Sequence, residues 1–270
     1  MRQLTPPIDD YRIKEEPFYL PTGEEVALFE AAHKAGLPFL LKGPTGCGKT
    51  RFVSYMAHKL GVPLITVACH EELTATDLLG RYLITGDETV WMDGPLTTGV
   101  RQGAIVYLDE VVQARSDTLV LLHPVTDYRR FLPIDKLGVV LQAPSDFMLV
   151  VSYNPGFQSV LKEFKPATRQ RFVAVDFDYP GEAQEGEILL REAGVSKKVA
   201  KSLVQVGRKL RNLADRGLDG GVSTRSLVSA GTLIAQGISP EHAAASALTA
   251  ALTDDPDVTQ AIQSVLSDFF

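Results

Sequence analysis

Apolar and polar positions along this chain follow two rhythms, and the change comes near residue 180. Before it, short apolar runs recur: PFLL (38–41), PLITVA (63–68), GAIVYLDE (103–110), DFMLVVSY (146–153) and RFVAVDFD (171–178). Runs of this length and β-branching predict buried strands. Between them lie stretches at helical spacing. Thr22-x-x-Glu25 has the pattern of a capping box and opens a predicted helix through Val26, Phe29 and Ala32 that stops at Gly36. RFVSYMAHKL (51–60) predicts a second helix, ended by Gly61. Strands alternating with helices imply a mostly parallel sheet covered on both faces.

Beyond Tyr179-Pro180-Gly181 every segment runs at helical period: 182–194, 197–214, 224–237, 240–252 and 257–266. The expected fold class is therefore α/β, a parallel-sheet α/β/α domain followed by a smaller all-helical domain. The expected division is an irregular N-terminal arm over 1–20, marked by Pro6, Pro7, Pro17 and Pro21, then domains over 21–180 and 181–270. Two segments interrupt the sheet rhythm. Arg81 to Leu96 partly alternates around Gly86-Asp87 and predicts a β-hairpin. Tyr128 to Asp146 predicts a second, turning near Lys136 to Gly138.

Composition narrows the partners. The net charge of −6 argues against a nucleic-acid or anionic-membrane partner. No apolar run approaches the roughly 20 residues of a membrane span, and the first residues lack the apolar stretch of a signal peptide. Cys47 and Cys69 form neither a disulfide framework nor a metal-site spacing, so the expected compartment is a reducing cytoplasm. The five histidines are scattered and read as structural or surface residues.

The strongest chemical signal is GPTGCGKT: Gly43, Pro44, Thr45, Gly46, Cys47, Gly48, Lys49 and Thr50. It fits the phosphate-binding P-loop, G-x-x-x-x-G-K-[ST], between a predicted strand and a predicted helix. Glycines let the backbone curl so that N–H groups point at phosphate oxygens, and the helix N-terminus adds partial positive charge. Lys49 would reach the β- and γ-phosphates, and the Thr50 hydroxyl would bind Mg²⁺. The cofactors expected are ATP and Mg²⁺.

Downstream, an apolar strand ends in Asp109-Glu110. Following a phosphate loop, Asp109 would hold the Mg²⁺ shell and Glu110 would polarise an attacking water. Asn154 ends the next strand, where its amide can orient that water or serve only as a turn residue. Arg169 and Arg171 precede the last strand, and arginine's planar fork suits a charged phosphoryl transition state. Arg225 begins a helix of the second domain, an unfavourable place for a cation, which points to an anionic partner. A small-molecule P-loop kinase and a nucleic-acid motor are the alternatives. The paired acids and the long helical tail disfavour the first, and the acidic balance the second.

Taken together, LKGPTGCGKTRFV, TVACHEELTATDLLGRYL, WMDGPL, AIVYLDEV, TDYRRFLPIDK, VVSYNPGFQS, RQRFVAVDFDYP and GVSTRSL resemble AAA+ ATPases of the MoxR branch, and within it the CbbQ/NorQ/NirQ group, on overall likeness the CbbQ side. The resemblance implies that Asn154 is sensor 1, Arg225 sensor 2 on a helical lid, and Arg171 the arginine finger, with Arg169 second in line. It implies a homo-oligomeric ring, usually a hexamer, with ATP between neighbouring subunits. It implies that the two hairpins are the helix-2 and pre-sensor-1 inserts, which commonly face a pore or partner. The aromatic–hydrophobic–glycine pore loop of the simplest ring motors is missing from the sequence. The implied partner is a protein with a von Willebrand factor A domain, of the CbbO type. The implied client is Rubisco, freed of inhibitory sugar phosphates; the alternative is maturation of nitric oxide reductase with a NorD-type adaptor.

Overall fold

The structure, a computed structural model, describes residues 3–5, 7–155, 166–214 and 221–270. The chain forms two compact units. One holds Met1–Gly43 and Lys49–Phe177, and the other Pro44–Gly48 and Asp178–Phe270.

The first unit is built on a parallel sheet of five strands: β2 (Phe39–Lys42), β3 (Leu64–Ala68), β6 (Ile105–Asp109), β9 (Met148–Tyr153) and β10 (Val173–Asp176). Their order is β10-β2-β9-β6-β3, so the first strand of this sheet in sequence lies second in space. Each coincides with an apolar run read from the sequence. Side chains alternate across the sheet. Leu40, Val106, Leu108, Leu149 and Val151 join one buried cluster with Leu96 and Val100 of α4 (Pro95–Gln102). Phe39, one residue away from Leu40, meets Phe29 of α1 (Glu25–Ala35), which in turn meets Phe52 of α2 (Lys49–Leu60) edge-on. Phe52 also packs on Tyr19 and Phe177.

Both predicted hairpins are present. β4 (Gly80–Thr85) and β5 (Glu88–Asp93) pair antiparallel across Gly86-Asp87. The hairpin ends before Leu96, because Pro95 takes the first position of α4, where its missing N–H costs nothing. β7 (Phe131–Ile134) and β8 (Val139–Gln142) form the second, turning through Asp135–Leu137. A helix not foreseen, α3 (Ala75–Leu79), starts on a complete capping box between Thr74 and Asp77. Short helices α5 (Ser116–Val120) and α6 (His123–Thr126) lead to β7.

Two local expectations need correction. The cap of α1 is Glu24, not Thr22. Glu25 still reaches back to accept from the Thr22 N–H at 2.7 Å and also takes the Tyr19 hydroxyl at 2.7 Å, but the helix begins two residues later than a box capped by Thr22 would start it. The arm is not wholly irregular either. β1 (Gln3–Leu4) adds in parallel to the free edge of β5, and the Thr5 hydroxyl donates to buried Asp93 at 2.8 Å.

The second unit carries helices α8 (Glu182–Glu192), α9 (Lys197–Ala214), α10 (Thr224–Ala235), α11 (Pro240–Ala244) and α12 (Pro256–Leu266). Ser223, Ser239 and Asp255 cap the last three with side-chain acceptors, as their residue types favour. The segment read as one helix from Pro240 slips into a π turn over Ala245–Thr249. Leu189, Leu203, Leu210, Leu227, Leu248 and Ile262 share its core. No strand occurs beyond Asp176 among the described residues, and no described helix is long and apolar enough to cross a membrane.

Phe52 joins α1, α2 and the chain leaving β10, and it is fully buried. Phe52→Ala should destabilise the first unit by about 3–5 kcal/mol through the void left behind, read from the midpoint of urea unfolding at unchanged slope. A loss below ~1 kcal/mol would mean that this contact is not part of a packed core.

Candidate functional site

Parallel topology brings the C-terminal ends of β2, β6 and β9 side by side, because β9 pairs with both β2 and β6. Ligand groups in open α/β sheets collect at such ends. Gly43 follows β2, Asp109 ends β6 with Glu110 next, and Asn154 follows β9. Lys49 opens α2 and is buried, at 6 % exposure.

These residues form one hydrogen-bonded set. Lys49 Nζ donates to the Gly43 carbonyl at 2.7 Å and to Asn154 Oδ1 at 2.7 Å. Asn154 Nδ2 donates to Glu110 Oε1 at 2.8 Å. One amide thus touches the cation and the carboxylate at once, and its own orientation is fixed by both. Burial pushes the Glu110 carboxyl up, and the Asp109 charge pushes the same way, while Lys49 and the Asn154 hydrogen bond pull it down. A raised carboxylate is a better proton acceptor. Glu110 also sits in the left-handed region, at φ 55° and ψ 46°, so the chain turns sharply off β6. Such a backbone costs about 1–3 kcal/mol.

Asp109 is held from three sides. Ser152 Oγ donates to Oδ1 at 2.6 Å and the Tyr107 hydroxyl to the same oxygen at 2.7 Å. Thr50 Oγ1 lies 3.4 Å from Oδ2. The Ser152 hydroxyl also accepts the Glu110 N–H at 3.2 Å, so one serine orients both acids. Ser152 and Tyr107 escaped the sequence reading. The signal was there, since Ser152 is the polar residue inside an otherwise apolar run. The hydroxyl of Thr50 and the Oδ2 of Asp109 that it faces are hard oxygen donors, which suits Mg²⁺ with waters completing its shell.

Cys69 follows β3, where its N–H donates to the Asp109 carbonyl at 2.9 Å. Burial, with Asp109 and Glu110 adding to it, pushes the Cys69 thiol up to about 12, so it stays protonated and inert.

The apex of the phosphate loop, Pro44–Gly48, packs with the helical unit. Gly46 has φ 72°, and a Cβ there would fall 2.5 Å from Ser223 Cβ and 3.4 Å from Arg225 Cβ. Only glycine fits both the conformation and the space. Arg225 is exposed in the first turn of α10. Gly43 is confined too, because a Cβ would overlap the Phe177 carbonyl.

The arginines before β10 stand apart. Arg169 ends the short helix α7 (Pro166–Arg169), with Nη1 3.5 Å from the Tyr153 hydroxyl. Arg171 is exposed in the turn that follows, where its backbone N–H donates to the Thr168 carbonyl at 3.2 Å. The end of the VVSYNPGFQS string, 156 onward, lies outside the described residues. Among those described, no cluster of three or more histidine, cysteine or acidic residues forms a metal cage.

A glycine-cradled loop, a buried lysine and two oriented acids at parallel strand ends define a P-loop ATPase of the AAA+ class. The AAA domain (dynein-related subfamily) matches residues 38–172, and the CbbQ/NirQ/NorQ C-terminal domain matches 185–269. Protein CbbQ of Hydrogenophilus thermoluteolus is 54 % identical over 262 residues, 97 % of this chain and 98 % of that protein. Protein NorQ of Paracoccus denitrificans is 55 % identical over 95 % of each chain. The Thermotoga maritima RuvB Holliday junction branch migration motor shares the fold at 16 % identity and a TM-score of 0.55, over 96 % of this chain and 71 % of that one. The chain belongs to the CbbQ/NirQ/NorQ family of AAA+ ATPases.

Gly46→Ala should strain the loop and displace Ser223. ATP affinity should fall by about tenfold or more, equivalent to at least ~1.4 kcal/mol, measured with a fluorescent ATP analogue. An affinity within twofold of wild type would show that the loop tolerates a side chain there.

Proposed function

We propose that this ATPase works as a homo-oligomeric ring, a hexamer, that remodels a partner protein in the cytoplasm. In this reading residues 1–20 are an arm, 21–180 the nucleotide-binding domain and 181–270 the lid. The observation that carries the catalytic part is the continuous Lys49–Asn154–Glu110 hydrogen bonding. It places the phosphate-binding cation and the proton acceptor on one amide, so a γ-phosphate that engages Lys49 also changes what holds Glu110.

The backbone N–H groups of Thr45 to Thr50 cradle the phosphates, and Lys49 carries the β- and γ-phosphate charge. Thr50 and Asp109 would hold Mg²⁺, which supplies charge neutralisation across the phosphates when bound. Glu110 accepts a proton from the attacking water as its oxygen bonds to the γ-phosphorus, and ADP leaves with the bridging oxygen. Asn154 orients Glu110 and the water. The exposure of Arg171 supports service in trans: the neighbouring subunit's Arg171 would bond the equatorial oxygens of the transition state, with Arg169 the second choice. Arg225 would move the lid as the γ-phosphate is lost.

For the client we propose Rubisco, loosened with the help of a von Willebrand factor A adaptor of the CbbO type so that inhibitory sugar phosphates leave. Likeness to CbbQ supports this. Likeness to NorQ supports nitric oxide reductase maturation with equal weight. Co-purification with the adaptor and an assay on inhibited Rubisco separate them. ATP-dependent recovery of carboxylation upholds the first reading, and activation of nitric oxide reductase instead upholds the second.

Glu110→Gln should keep ATP affinity within about twofold and cut kcat by about 10²–10⁴. Lys49→Ala should abolish nucleotide binding at micromolar ATP. Mixed rings of Lys49→Ala and Arg171→Ala protomers should regain turnover that neither pure ring shows, because intact sites form where the two meet. Normal hydrolysis by both pure variants, or a wild type that stays monomeric with every nucleotide, would defeat the shared-site reading.

A further inference from the structure

A polar chain in the helical unit belongs to none of the roles above. It starts at the phosphate-loop apex, where the Thr45 carbonyl accepts the Tyr179 hydroxyl at 3.2 Å. The Tyr179 ring lies under the Arg211 guanidinium, 3.9 Å from its carbon. Arg211 grips Glu185 with both terminal nitrogens, at 2.9 and 2.6 Å, and donates Nε to the Val222 carbonyl at 2.6 Å. The same Glu185 carboxylate takes the Thr224 hydroxyl at 2.6 Å. Thr224 is the first residue of α10, directly before Arg225.

Glu185 is fully buried, and the Arg211 side chain is 14 % exposed. An ion pair this deep is no better for stability than apolar residues of like volume. What it adds is direction. The fork of Arg211 fixes Glu185, Glu185 fixes Thr224, and the backbone carbonyl of Val222 fixes the approach to the α10 cap at Ser223. Ser223 is also the residue that Gly46 leaves room for. Both ends of the chain therefore lie at the nucleotide-sensing elements, the loop apex and the helix start that bears Arg225.

We propose that Tyr179 and Arg211 are positioning residues, a relay that sets Arg225 against the phosphate-loop apex and transmits loop occupancy to α10. The proposal rests on the reading of Arg225 as a nucleotide sensor. The relay passes no proton and makes no contact with the reacting atoms. It acts by limiting the rotation of α10 to the orientation in which Arg225 meets bound phosphate.

The test is a double-mutant cycle on the full chain, read as ATP Kd, kcat and melting temperature. Tyr179→Phe keeps the ring stack and removes only the bond to Thr45. It should raise ATP Kd by about 2- to 10-fold, the effect of one lost hydrogen bond, with kcat within about twofold and the melting temperature unchanged. In an Arg225→Ala background, Tyr179→Phe should have no further effect. Additive losses, or an unchanged Kd in the single variant, overturn the relay while leaving the sensor reading intact. If Arg225→Ala itself leaves binding and turnover unchanged, the sensor reading fails and takes the relay with it. Arg211→Lys keeps the charge and loses the fork, and it should behave as Tyr179→Phe does. Should it fail to fold, the Tyr179→Phe cycle decides alone.

Discussion

A buried ammonium sets the terms for the sheet unit. Lys49 cannot be withdrawn from water without acceptors to replace it. It finds them in the Gly43 carbonyl and the Asn154 amide, which come from the ends of two different strands. Those ends meet only because β2 and β9 are neighbours in a parallel sheet. The strand order is therefore a condition for keeping the cation inside, and the cation in turn fixes Asn154, through which Glu110 is held. In the proposed function, phosphate binding and water activation inherit their geometry from that one requirement.

The same corner concentrates departures from local preference. Glu110 takes the left-handed region without being glycine. The Ser152 hydroxyl offsets part of this by accepting the Glu110 N–H while donating to Asp109. Strain that survives beside dedicated hydrogen bonds belongs to sites whose geometry is imposed by the surrounding structure. Elsewhere the unit follows local rules in a complete capping box at Thr74 and a proline at the head of α4, with Arg130 a second non-glycine residue in the left-handed region.

The two hairpins show how insertions stay attached to such a core. The Tyr82 hydroxyl donates to the Lys136 carbonyl at 2.9 Å, and Lys136 Nζ reaches Thr76 at 3.2 Å. Arg130 anchors the second hairpin by donating to the carbonyls of Pro144 and Phe147, from a backbone with φ 47°. Neither insert is a free appendage, although Ile84 and Val140 at their surfaces remain open to solvent.

Sequence alone settled much of this molecule. The five apolar runs specified the strands, since parallel strands covered on both faces carry mostly apolar side chains, and the GPTGCGKT loop specified phosphate chemistry, since few sequences can turn so tightly before a helix. Asp109, Glu110 and Asn154 were readable as strand-end polar groups. Which of them touch was not, because pairing between β6 and β9 depends on sheet order, a property that no local pattern encodes. The Ser152–Asp109 bond and the Tyr179–Arg211–Glu185–Thr224 chain emerged only in three dimensions for the same reason: each of these contacts joins residues far apart in sequence, and its energy exists only after the chain has closed the distance.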